Sequence, residues 1–108
     1  MNVAIQPDDN LIATVADAVG GVLRAADGVV AAAPAPDALV PGVCIRHVAA
    51  GYAVRLDVVV AVPGDAVGAA IRLRQAAARV CRSLPGACAS IDVVIHDVAF
   101  AAPGLVND

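Results

Sequence analysis

Apolar side chains recur at helical spacing from residue 11: Leu11, Val15, Val19 and Val22, flanked by Ile12, Ala18 and Leu23. Asn10, Thr14, Asp17, Gly21 and Arg24 fall on the opposite side. This pattern predicts an amphipathic helix over 11–26. Asp9 or Asn10 can cap its free N–H groups, and Asp27-Gly28 ends it. Gly20-Gly21 lies inside it, at a cost of roughly 1 kcal/mol per glycine relative to alanine.

The period then changes. Val29–Ala33 is a short apolar run that reads as an edge strand, and Pro34-Ala35-Pro36-Asp37 with Pro41-Gly42 marks a loop. Val43–Val48 reads as a strand, Ala50-Gly51-Tyr52 as a turn, and Ala53–Val62 as the clearest strand of the chain. These two strands predict a hairpin. Val54, Leu56, Val58, Val60 and Val62 share one face of the second strand, and Ala53, Arg55, Asp57, Val59 and Ala61 the other.

Pro63-Gly64 breaks that strand and Asp65 caps a second helix over 65–84. One side of it carries Ala66, Ala70, Leu73, Ala77, Val80, Cys81 and Leu84, with Arg74 on the flank. Arg72, Gln75, Arg79 and Arg82 line the other side. After Pro85-Gly86, residues 90–100 alternate as a last strand. Ile91, Val93 and Ile95 face one way, and Asp92, Val94, His96 and Val98 the other.

The order α-β-β-β-α-β predicts an α+β two-layer domain. Its sheet is mixed, with three to four strands, and both helices pack on one face. The expected organisation is a flexible leader over 1–9, a single domain over 10–102 and a tail over 103–108. The helix-free sheet face would present Arg55, Asp57, Asp92 and His96 among valines, the sort of surface that pairs with something.

Composition narrows the function. Hydrophobic residues make up 60% of the 108 positions, yet the longest stretch free of Asp and Arg, Val98–Asn107, holds Pro103 and Gly104. A spanning helix needs about 20 apolar residues, so none is expected. The first residues carry no basic group and no apolar run, so no signal peptide is expected either, and the expected location is cytoplasmic. A net charge of −3 speaks against a phosphate-backbone binder. So does an aromatic complement of Tyr52 and Phe100 alone, which offers no stacking platform for nucleic acid.

Cys44, Cys81 and Cys88 cannot all pair within one chain and read as reduced core thiols. With His47 and His96 they lack the local spacing of a metal site. No hydroxyl side chain sits in a nucleophile frame, and the glycines do not form a phosphate cradle. No catalytic residue, metal ligand or cofactor is expected. Asp57 and Asp92 read as surface charge pairs with Arg55. The Arg72/Arg79/Arg82 stripe reads as a solvated face or as a contact for an acidic partner or an anionic surface.

Three stretches carry a family resemblance: Leu11–Val29, a helix running into a Gly-Val strand entry; Tyr52–Gly64, a central strand ending in glycine; and Ser90–Val98, a closing strand. In these the chain resembles the alkaline-shock, or cell-envelope stress response, family in its actinobacterial form. It departs from the family pattern at Pro63 and in the compressed loop at 34–42. The resemblance implies a non-enzymatic cytoplasmic protein that self-associates or attaches near the membrane through an anchoring partner, with a link to envelope homeostasis. It carries over no catalytic residues.

The first expectation is therefore a homo-oligomeric interaction protein, docking through Arg55, Asp57, Asp92 and His96 or through Arg72, Arg79 and Arg82. The element order is also similar to that of the cytoplasmic domains of cation-efflux transporters. That alternative is a metal-sensing or regulatory module with His47, His96 and Asp97 as ligands. A small enzyme using His96 and Asp57 would need a deep pocket beside them. The strands are apolar on both sides, more than one small core requires, which points to a second buried surface supplied by another chain.

Overall fold

The computed structural model describes residues 9–100. The expected leader, up to residue 8, and the expected tail lie outside the described residues. The elements follow the expected order: α1 (Asp9–Ala25), β1 (Val29–Ala32), β2 (Val43–Val48), β3 (Gly51–Val62), α2 (Ala66–Arg82) and β4 (Cys88–Phe100). Asp65 caps α2 as its sequence predicts, its carboxylate accepting from the Gly68 N–H at 2.8 Å. No helix among the described residues is long and apolar enough to cross a membrane.

The sheet is organised around β3. β4 runs parallel to it from Tyr52 to Val62 and takes one whole edge. β2 pairs antiparallel with residues 51–56 on the other edge, and β1 antiparallel with residues 58–60. The sheet is thus four-stranded and mixed, with β1 and β2 sharing one edge of the central strand. Asp57 sits at the gap between them. Its N–H donates to the Gly42 carbonyl at 2.9 Å and its carbonyl accepts from Ala33 N–H at 2.8 Å. The loop linking β1 to β2 therefore leaves and returns at a single residue of β3.

Both helices cover the face that carries Tyr52, Val54, Leu56, Val58 and Val60. These residues join Ile12, Val15, Val19 and Leu23 of α1 and Leu73, Ala77 and Cys81 of α2 in one core. α1 lies over β1 and β2, and α2 over β3 and β4. Burying side chains of this size stabilises a fold by about 1.5–3 kcal/mol each. Gly20 has a packing role on α1, since a Cβ there would meet Val40 Cγ2 at 3.0 Å. The helix gives up propensity at that position to let the loop close onto it.

Two expectations are corrected. The hairpin turns at Ala49-Ala50, with Val48 paired to Gly51, so Gly51 and Tyr52 open β3 instead of belonging to the turn. In β4, register shifts against β3 leave Ala89 and His96 as bulged residues. Past His96 the alternation reverses. Asp97 pairs with Val59 on the helix-free side and Val98 with Val60 on the helix side, where strict alternation had placed Val98 with His96.

Candidate functional site

The helix-free face holds a polar cluster built on Asp57. This residue lies on the solvent-side parity of β3, but only 1% of it is exposed, so it is not the surface charge expected from sequence. Arg55, two residues away on the same face, donates from Nε to Oδ1 at 3.2 Å and to Oδ2 at 3.1 Å. His96 Nε2 lies 2.6 Å from Oδ1. An ionised carboxylate only accepts, so Nε2 carries the proton in this pair. Alternation along β4 puts His96 on this face, and the bulge leaves it without a register partner on β3.

Asp37 and Cys44 complete the cluster, and sequence reading missed both. Arg55 Nη2 donates to Asp37 Oδ1 at 2.9 Å and reaches Cys44 Sγ at 3.0 Å. The Cys44 thiol lies 3.4 Å from Asp37 Oδ1 and 3.5 Å from Asp57 Oδ2, and its single proton serves one of the two at a time. Cys44 was discoverable, because a two-residue turn at 49–50 sets a hairpin register that pairs it with Arg55. Asp37 was not, because it arrives from an irregular loop.

Electrostatics follow from this packing. Burial alone would push the Asp57 carboxyl up. Hydrogen bonds from His96, Arg55 and Cys44, with the charge of Arg55, outweigh burial and hold it below the usual carboxylate range. The Cys44 hydrogen bond, its own backbone N–H and Arg55 hold Asp37 down as well. Burial and the two carboxylates push the Cys44 thiol up to about 11. Cys44 is therefore protonated at physiological pH and acts as a neutral donor.

Asp92 pairs in register with Arg55, yet it makes no ion pair among the described residues. The depression beside the cluster, about 230 Å³, is lined by Asp37, Cys44, Arg46, Ala53, Val54, Arg55 and Asp92, and not by His96. The Arg55 guanidinium sits between the two carboxylates, the place a metal cation would take. Among the described residues no three His, Cys or Asp side chains are grouped to hold a metal ion. His47 pairs with Tyr52 on β2, on the far edge of β3 from His96 and Asp97, so those three are not brought together. Arg72, Arg79 and Arg82 are exposed on α2.

The other exposed feature is β4 itself. Among the described residues no strand pairs its outer edge. Val67 and Ile71 of α2, 67% and 51% exposed, line a groove with Ile91, Val93 and Ile95, which the charged Arg74 and Asp92 also line. Val94, Ile95, Val98 and Phe100 are exposed along the same strand. Arg74 ties α2 to it, donating from Nε to the Ile91 carbonyl at 2.8 Å.

Compared with protein-family models, curated proteins and solved structures, the chain finds no match.

Proposed function

We propose that this chain is a non-catalytic interaction domain that works as a homo-oligomer. The observation that supports it is the outer edge of the 13-residue strand β4, which no strand pairs among the described residues, flanked by the exposed Val67 and Ile71. Open strand edges are normally shortened, charged or covered, and an apolar strip beside one is the mark of an interface. The polar cluster on the helix-free face fits the same reading. Its groups satisfy one another, so it acts as a strut that fixes the β1–β2 loop to the centre of the sheet.

The reading involves no cofactor and no nucleic acid. With the resemblance to alkaline-shock proteins it extends to a cytoplasmic protein held near the membrane through an anchoring partner, serving the cell envelope. Sedimentation velocity over a range of concentrations tests its core. A reversible dimer or larger species in the micromolar range is expected. A strict monomer at the highest concentrations overturns it.

A further inference from the structure

We infer that Cys81 and Cys88 are a redox-active dithiol, converted to an intramolecular disulfide by a small disulfide that carries carboxylates and docks beside Arg74 and Arg82. This goes beyond the self-association proposed above and does not depend on it.

The fold brings the two thiols together across one loop. Cys81 lies in the last turn of α2, and Cys88 opens β4. The loop between them, Ser83–Ala87, is fixed at both ends. Leu84 N–H donates to the Cys81 carbonyl at 3.2 Å, and the Ala87 carbonyl accepts from Tyr52 N–H at 3.0 Å. Cys88 pairs in register with Tyr52, so both side chains leave the sheet on the helix side and meet the core that Cys81 joins. Both cysteines are free, and both line one depression of about 400 Å³. Burial first, and then the adjacent Cys81 thiol, pushes the Cys88 thiol up to about 11. Cys44 is free as well, but its sulfur faces Asp37, Asp57 and Arg55.

A separate feature marks the same spot. Tyr52 is fully buried, and its hydroxyl makes no hydrogen bond among the described residues. Burial, then the neighbouring Cys81 and Cys88 thiols, push that hydroxyl up, so it stays protonated. An orphaned buried donor is unusual, and this one is placed to donate to a sulfur anion formed during thiol exchange. The lining of the depression selects the reagent. It holds Arg74 and Arg82 and no acidic residue. The Nε bond from Arg74 to the Ile91 carbonyl, 2.8 Å, keeps that guanidinium at the wall. Two guanidinium groups favour a reagent with carboxylates.

Exposure divides the roles, since Cys88 is half-buried and Cys81 is buried. The Cys88 thiolate attacks one sulfur of the small disulfide. That S–S bond breaks, a mixed disulfide forms on Cys88, and the first small thiol leaves with the proton Cys88 gave up. Cys81 then attacks the Cys88 sulfur, and the second small thiol leaves with the Cys81 proton. Two protein thiols are oxidised and one small disulfide is reduced to two thiols. A thiol as weakly acidic as Cys88 attacks slowly at neutral pH, and as a poor leaving group it makes the disulfide durable once formed.

The test equilibrates the full reduced chain with oxidised and reduced glutathione at pH 8, blocks free thiols by alkylation, and maps tryptic peptides by mass spectrometry. Cleavage after Arg79 and Arg82 puts Cys81 on Val80–Arg82 and Cys88 on Ser83–Asp108. Expected is a disulfide joining these two peptides, with Cys44 alkylated. Cys81→Ser should trap glutathione on Cys88, and Cys88→Ser should leave Cys81 unmodified. Replacing Arg74 and Arg82 together by glutamine should slow oxidation by glutathione disulfide about fivefold or more and leave oxidation by the uncharged hydroxyethyl disulfide unchanged. Alkylation of both Cys81 and Cys88 in the most oxidising buffer overturns the inference, and so does pairing with Cys44 or between chains. Equal slowing with both reagents, or with neither, overturns the role of the arginines. The wild-type peptide map decides the pairing even if a cysteine variant does not fold.

Discussion

At the scale of single residues, Asp57 decides most. It carries a buried charge that is tolerated because Arg55 and His96 donate to it, with the single thiol proton of Cys44 shared between it and Asp37. Removing one member of a buried charged pair leaves the others under-satisfied, so Asp57→Asn should lower stability by about 2 kcal/mol at neutral pH. The pH dependence has a definite sign. The folded value lies below the unfolded one of about 3.9, so the ionised carboxylate favours the native state above that pH. That contribution fades as pH falls through the folded value. Urea denaturation between about pH 4 and pH 2 should show a steep loss of stability in the wild type and a shallower one in Asp57→Asn. Equal slopes would show that the cluster does not titrate as the geometry requires. Sequence reading placed Arg55, Asp57 and His96 on one face, but it took Asp57 for a solvated charge. Alternation assigns a face, and it does not say that a loop and a bulge will close over it.

At the scale of elements, the two adjacent glycines of α1 separate propensity from packing. A Cβ on Gly21 would meet nothing closer than Arg24 Nη2 at 3.8 Å, whereas one on Gly20 would press on Val40. Gly21→Ala should therefore raise stability by about 0.5–1 kcal/mol through helix propensity. Gly20→Ala should gain less or lose. Thermal melts of the two variants check this, and a larger gain at Gly20 would contradict the packing of the loop on α1. Sequence pattern located all six elements to within two residues at each end. It could not find the bulge at His96, because a bulge is a property of the pairing between β3 and β4 and leaves no mark on the alternation of one strand.

At the scale of the whole molecule, two helices bury one sheet face, and among the described residues no strand pairs the outer edge of β4. A partner that binds only the folded chain raises apparent stability by mass action. If that partner is a second copy, the thermal midpoint should rise with protein concentration, and Ile71→Arg should abolish the rise. A midpoint that does not move over a hundredfold concentration range would argue for a stable monomer.

What the amino-acid order determined by itself is local: helical and alternating periods, capping by Asp65, the breaks at Pro-Gly pairs, and therefore the α+β class. These depend on neighbours in the chain. What only the tertiary structure decided is lateral. It decided that β1 and β2 share one edge of β3, and that Asp37 and Cys44 converge with His96 on Asp57. Among the described residues it also left the outer edge of β4 without a strand partner. The excess of apolar residues on the strands was legible from the start. Which strand would stand at the edge of the sheet was not, because sheet order is set by long-range packing that no local period encodes.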